Sequence, residues 1–213
     1  MVREGRSPAG TYIRIASVGI WSALFPASVA YVWWAVRPSL FYEVFGIYLP
    51  YPAFFLDFEF VRRSLAEPAG MTESVGALLS HCFRFSWAGA LIICGLAWLI
   101  GWADDRLIRQ ARARPHRFVA LLPAAGVLLL YQMCQNPLSL LLGFVLCLWL
   151  AVGFGRLAKR PSAFARWCLF TVLCVSLYHL AGAVSLIFAF LAGLAELRAR
   201  CRWPQALAVL VTG

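Results

Sequence analysis

Arginine-rich gaps between the long apolar stretches of this chain alternate with short turns that carry no full charge and with one long segment, residues 37–86. Arg3, Arg6 and Arg14 precede the first stretch, and Arg106, Arg109, Arg112, Arg114 and Arg117 fill a later gap. Arg156, Lys159, Arg160 and Arg166 fill the next such gap, and Arg198, Arg200 and Arg202 the one after. The turns between these, at residues 132–137 and 178–182, carry no full charge. A bundle of membrane-crossing helices that keeps its basic loops on the cytoplasmic side leaves this pattern. The expected fold is therefore an all-α, polytopic transmembrane helix bundle, with its N-terminus in the cytoplasm.

Composition excludes the soluble alternative. The chain is 62% hydrophobic and 13% charged, with a mean hydropathy of +0.78. One core of this length could not hide that much apolar surface from water, whereas a bilayer accepts apolar runs of about 20 residues. The net charge of +10 does not point to nucleic acid, because the basic residues sit in short loops beside apolar runs and not on one soluble face. The bilayer is the expected partner, with anionic headgroups meeting the basic loops. The seven cysteines include no C-x-x-C pair and most lie inside apolar runs. There they act as small hydrophobes, and neither a disulfide framework nor a zinc site is expected.

The chain reads as a single transmembrane domain, residues 1–213, with spans at about 15–36, 87–102, 118–133, 138–154, 167–178 and 181–195. The uncharged turns imply antiparallel helix hairpins. A further apolar run at 206–213 is too short to span, so the sequence reads as the front part of a longer protein. Ala181, Ser185, Ala189 and Gly193 recur every four residues. Such a stripe lets helices approach closely, here for packing inside the bundle ahead of an oligomer contact.

Residues 37–86 form the one long outer loop. It holds five of the nine acids, Glu43, Asp57, Glu59, Glu67 and Glu73, among dense aromatics. Aromatic bodies with polar tips suit helices lying along a membrane surface. Such interfacial amphipathic helices are expected at 39–48 and 52–65, and a third begins with Thr72 as N-cap and Glu73 in its first turn.

Candidate chemistry converges on the side of that loop. In Asp57-Phe58-Glu59, two carboxylates could share a divalent cation carrying a phosphate, or one could act as general base. The plainer account is solvated contact with Arg62 and Arg63. Arg62, Arg63 and Arg84 are candidate phosphate ligands, and His81 lies one helical turn before Arg84. Gln132, Gln135 and Asn136 cap one outer turn, and Tyr178 and His179 the other; helix-end backbone groups are their structural alternative. No phosphate-cradling loop, nucleophile elbow or zinc-helix motif occurs. The spans are nearly free of ionisable groups, which argues against an ion-coupled transporter.

This layout resembles the front of GT-C-type membrane glycosyltransferases. The resemblance implies a catalytic or metal-binding acid in the first outer loop and a lipid-phosphate-linked sugar as donor, and Asp57 and Glu59 are the matching positions. The alternative is a non-enzymatic membrane scaffold or assembly subunit that docks partners through the same loop. The chain is also similar to a family of bacterial multi-pass membrane proteins without an assigned activity. Phe54-Phe55, Pro68-Ala69-Gly70-Met71-Thr72-Glu73 and Trp87-Ala88-Gly89-Ala90-Leu91 carry that similarity. That family has a Pro-Gly-Gly turn, and this chain has Ala69 at its middle position, a departure that leaves the turn's backbone open.

Overall fold

The computed structural model describes residues 23–38, 59, 62, 65–111, 117–131, 137–157 and 163–200. Asp57, Arg63, Gln132, Gln135 and Asn136, the expected helix at 39–48 and the apolar run at 206–213 lie outside the described residues. Among the described residues every regular element is helical. We label them α1 (Ala23–Val36), α2 (Gly70–Ser80), α3 (Ser86–Gln110), α4 (Arg117–Leu130), α5 (Leu138–Leu157), α6 (Ala163–Ala181) and α7 (Ser185–Arg200).

Directions follow from side-chain contacts. Phe25 meets Trp98 with ring centroids 5.5 Å apart, and Pro38 lies against Gly89, so α1 runs antiparallel to α3. Gly101 lies beside Ala120 and Ala124, so α4 turns back along α3. Trp102 meets Trp149 at 6.4 Å, and Gln110 reaches Val152, which makes α5 parallel to α3. The run 164–195 is long and apolar enough to be one 32-residue helix. It is folded back on itself instead. Phe170 stacks on Phe188 at 6.1 Å, whereas a straight helix would separate them by about 27 Å. The reversal is a 3-10 turn at Gly182–Val184, entered through Gly182 at φ +60, a left-handed backbone that glycine adopts without cost to a Cβ.

The helix α5 is central. Leu138, Leu141, Leu148 and Val152 pack with α1, α3 and α4. Cys147, Ala151 and Phe154 of the same helix pack with α6 and α7. A helix that buries two faces must be apolar all round, and α5 is uncharged from Leu138 to Gly155. The flanking helices turn large apolar side chains outward instead: Leu122 is 67% exposed, Val172 61% and Phe190 66%. Surfaces of this kind face lipid. With helices such as α3 and α5 long and apolar enough to cross a bilayer, the fold is a polytopic membrane bundle.

One local expectation is corrected, and one helix runs on past its apolar part. The helix that holds the expected span 87–102 continues to Gln110 and carries Asp104, Asp105, Arg106 and Arg109 on helical backbone. Roughly 27 Å of helix from Ser86 to Ala103 spans the hydrocarbon, and an Asp105–Arg109 ion pair of 2.8 Å at i, i+4 supports the next turns. Thr72 is not an N-cap: α2 starts earlier, and its N-cap residue is Ala69. The stripe of small residues is mixed. Ala181 and Ser185 are buried, and Ala181 packs where a Cβ on Gly143 would lie 3.3 Å away, but Gly193 faces open space.

Candidate functional site

The end of α4, the start of α5, the α6–α7 turn and the start of α3 share one end of the bundle, and α2 lies across it. Its start is pinned to the α6–α7 turn by backbone. The Ala69 amide donates to the His179 carbonyl at 2.9 Å. The Thr72 hydroxyl lies 3.0 Å from the Leu180 carbonyl and 2.9 Å from that of Ala69, so one proton is shared between two acceptors. Farther along, a Cβ on Gly76 would lie 3.0 Å from the Ser139 amide nitrogen at the start of α5. The far end of α2 tightens into a 3-10 turn, His81–Arg84, whose Phe83 is buried, and α3 follows.

The docking explains the Pro68-Ala69-Gly70 sequence. Ala69 adopts φ 68 and ψ −4, left-handed geometry that costs an L-residue roughly 1–2 kcal/mol. Its Cβ occupies the place that glycine leaves open, 2.9 Å from where a Cβ on Gly182 would sit. Two left-handed residues thus face each other across the contact. The departure from a Pro-Gly-Gly turn keeps a glycine-like backbone and fills the gap with a methyl group.

The exposed side of this cap changes character along its length. Thr72, Gly76 and Ala77 face the bundle, while Met71, Val75 and Leu78 point away, 44%, 38% and 47% exposed. Their spacing of four and three residues makes one stripe. Beyond it, the 3-10 turn eclipses residues three apart, which puts His81 and Arg84 on one side. Both are exposed. Neither cation pairs with a carboxylate among the described residues; the ion pair Asp105–Arg109 lies on α3.

The other candidate residues are placed as follows. Glu59 and Arg62 are exposed and helical, three residues apart. Tyr178 and His179 are exposed beside the pinned start of α2, and it is the His179 carbonyl that makes the contact. Arg84 lies at the opposite end of the cap, roughly 20 Å along the helical path from Thr72, so Arg84 and His179 are not brought together. Among the described residues no three His, Cys, Asp or Glu side chains are grouped to hold a metal ion. Sequence reasoning missed the part played by the 179–180 carbonyls, since every residue has one; the only signal was a Thr one turn past a Pro-Ala-Gly break.

The fold and this capped end define a multi-pass membrane helix bundle. The chain belongs to the family of unknown function DUF6057, whose model matches residues 11–213. No curated protein and no solved structure shows a significant match.

Proposed function

We propose that the α2 end faces the outside of a bacterial inner membrane, with the N-terminus in the cytoplasm, and binds a lipid-linked phosphate there, as a GT-C-like transferase does with its sugar donor. The observation that carries this reading is the order of groups along α2 and the 3-10 turn that follows it. An apolar stripe, Met71, Val75 and Leu78, leads into the eclipsed pair His81 and Arg84. A lipid tail and its phosphate present the same order, and a guanidinium suits phosphate oxygens geometrically. In this reading Asp57 is base or cation ligand and Glu59 its partner, with Arg62 and Arg63 as further phosphate ligands. The arginine-rich gaps support the orientation.

A polyprenyl phosphate titrated against the protein in nanodiscs tests the site. His81→Gln with Arg84→Gln should weaken binding about tenfold or more, the scale of a lost charged hydrogen bond. Unchanged binding by the double variant sinks the reading. Asp57→Asn should reduce transfer by about 10²-fold at unchanged protein level. A photo-crosslinker at Val75 separates the scaffold alternative: capture of a protein in place of lipid makes the stripe a docking face. Labelling of single cysteines at 67 and 136 from outside intact cells, with none at 109 or 160, is the outcome the orientation requires.

A further inference from the structure

The opposite, arginine-rich end holds a second arrangement. Trp102, Arg106 and Arg109 stand on one stripe of α3, spaced four and three residues apart. Trp149, Gly153 and Arg156 stand on α5 with the same spacing, and the two helices run parallel there. The Arg106 guanidinium carbon lies 5.3 Å from the Trp102 ring centroid and 5.5 Å from that of Trp149. The two indoles meet edge to face, 72° apart, and form a corner in which the cation rests.

Three observations leave this corner incomplete. Arg106 makes no ion pair among the described residues, because Asp105 is engaged by Arg109. Asp104 lies two residues back, about 200° around the helix from Arg106, and faces elsewhere. The Trp149 indole N–H is buried and has no acceptor among the described residues. One turn beyond Trp149, a Cβ on Gly153 would meet nothing within 4 Å, so there is open space beside the unpaired donors. Trp102 itself is half exposed.

We propose that this corner between α3 and α5 binds the phosphate headgroup of an anionic phospholipid. The depth fits. Charged residues begin just past the roughly 27 Å of apolar helix that fills the hydrocarbon, which is where phosphates lie and where tryptophan anchors. The donor set fits as well: a guanidinium held in place by two rings and an indole N–H both need acceptors, and phosphate oxygens supply them. Arg106, Arg109 and Arg156 against Asp105 leave the corner positive, which favours a headgroup of net negative charge over a zwitterionic one.

Native mass spectrometry of the purified chain, offered phosphatidylglycerol and phosphatidylcholine in equal amounts, tests the assignment. The wild type should retain phosphatidylglycerol preferentially. Arg106→Gln should cut that retention about fivefold, the equivalent of one basic residue near a headgroup. Gly153→Leu fills the open space without changing charge, and should cut it at least as far; it carries the test if Arg106→Gln fails to fold. Arg37→Gln removes a charge at the other end of the bundle and should leave the preference intact. Equal retention of the two lipids by the wild type overturns the proposal, as does an unchanged preference in Gly153→Leu. Displacement of the lipid by millimolar inorganic phosphate also overturns it, since the corner would then be a free-phosphate site.

Discussion

The two ends of this bundle are joined by different means. At the α2 end the contacts are mostly backbone to backbone or glycine to neighbour, Ala69 to His179, Gly76 to Ser139, Gly89 to Pro38 and Gly182 to Ala69, with the short Thr72 hydroxyl reaching the Leu180 carbonyl. At the arginine-rich end they are made by the tips of long side chains: Gln110 to Val152 at 3.0 Å, and Arg106 of α3 to the Trp149 indole of α5. A main-chain contact has no rotamer through which to relax, whereas a long side chain can swing aside. Small residues are therefore fixed at the first end, and polar residues at the second are replaceable as far as stability goes. That division places rigidity at the cap and adaptability at the arginine-rich end.

The largest test of this contrast is Gly182→Val. It forces a β-branched residue to φ +60 and drives a side chain into Ala69. The expected loss is about 3 kcal/mol, from roughly 1–2 for left-handed backbone and 1–3 for overpacking. In a thermal melt of the purified protein this is a fall of about 6–12 °C. A melt within about 2 °C of wild type, at that same scaling, would show that the cap is not fixed at this point.

Next is Gly89→Ala, one methyl group placed 2.5 Å from the Pro38 Cβ. Overpacking of this kind costs about 1–3 kcal/mol, and the contact between the end of α1 and α3 should loosen. Crosslinking between cysteines introduced at 25 and 98 reads this directly, and an unaltered crosslinking yield together with an unaltered melt contradicts it.

A smaller effect of opposite sign sharpens the comparison. Ala69→Gly removes the left-handed penalty but adds backbone entropy to the unfolded chain and deletes a packed methyl group. The balance should be a gain of at most about 1 kcal/mol. A clear destabilisation would mean that the methyl contact with Gly182 outweighs the strain.

Arg109→Gln should matter least. It breaks an i, i+4 pair whose arginine is 57% exposed, worth about 0.3–0.5 kcal/mol. If this variant melts lower than Gly89→Ala, the two ends do not differ as described.

Much of the architecture was legible from hydropathy and charge. The all-α membrane class follows from apolar runs separated by short charged or turn-forming segments, since lipid admits helices whose backbone is satisfied internally. Glu73 in the first turn of the third loop helix was readable because a helix N-terminus favours an acid. Its cap was not. Thr72 looks like an N-cap by residue type, but an alanine in left-handed geometry holds that position, and no propensity rule selects one. The candidate site was legible only as residue types. His81 and Arg84 were seen as a turn apart, but the 3-10 backbone that eclipses them depends on how α2 is stretched between the α6–α7 turn and α3.

By itself, then, the sequence determined that this chain crosses a membrane several times as helices, because hydropathy and loop charge are properties of single segments and need no partner to act. Only the tertiary structure decided that α5 lies at the centre, and that the 164–195 run closes Phe170 onto Phe188 at 6.1 Å. It also selected the carbonyls of His179 and Leu180 to receive the cap, and set Arg106 between two tryptophans 47 residues apart in the chain. Those choices rest on distances between segments, and a carbonyl or an indole face is the same at every position until packing brings one particular partner to it.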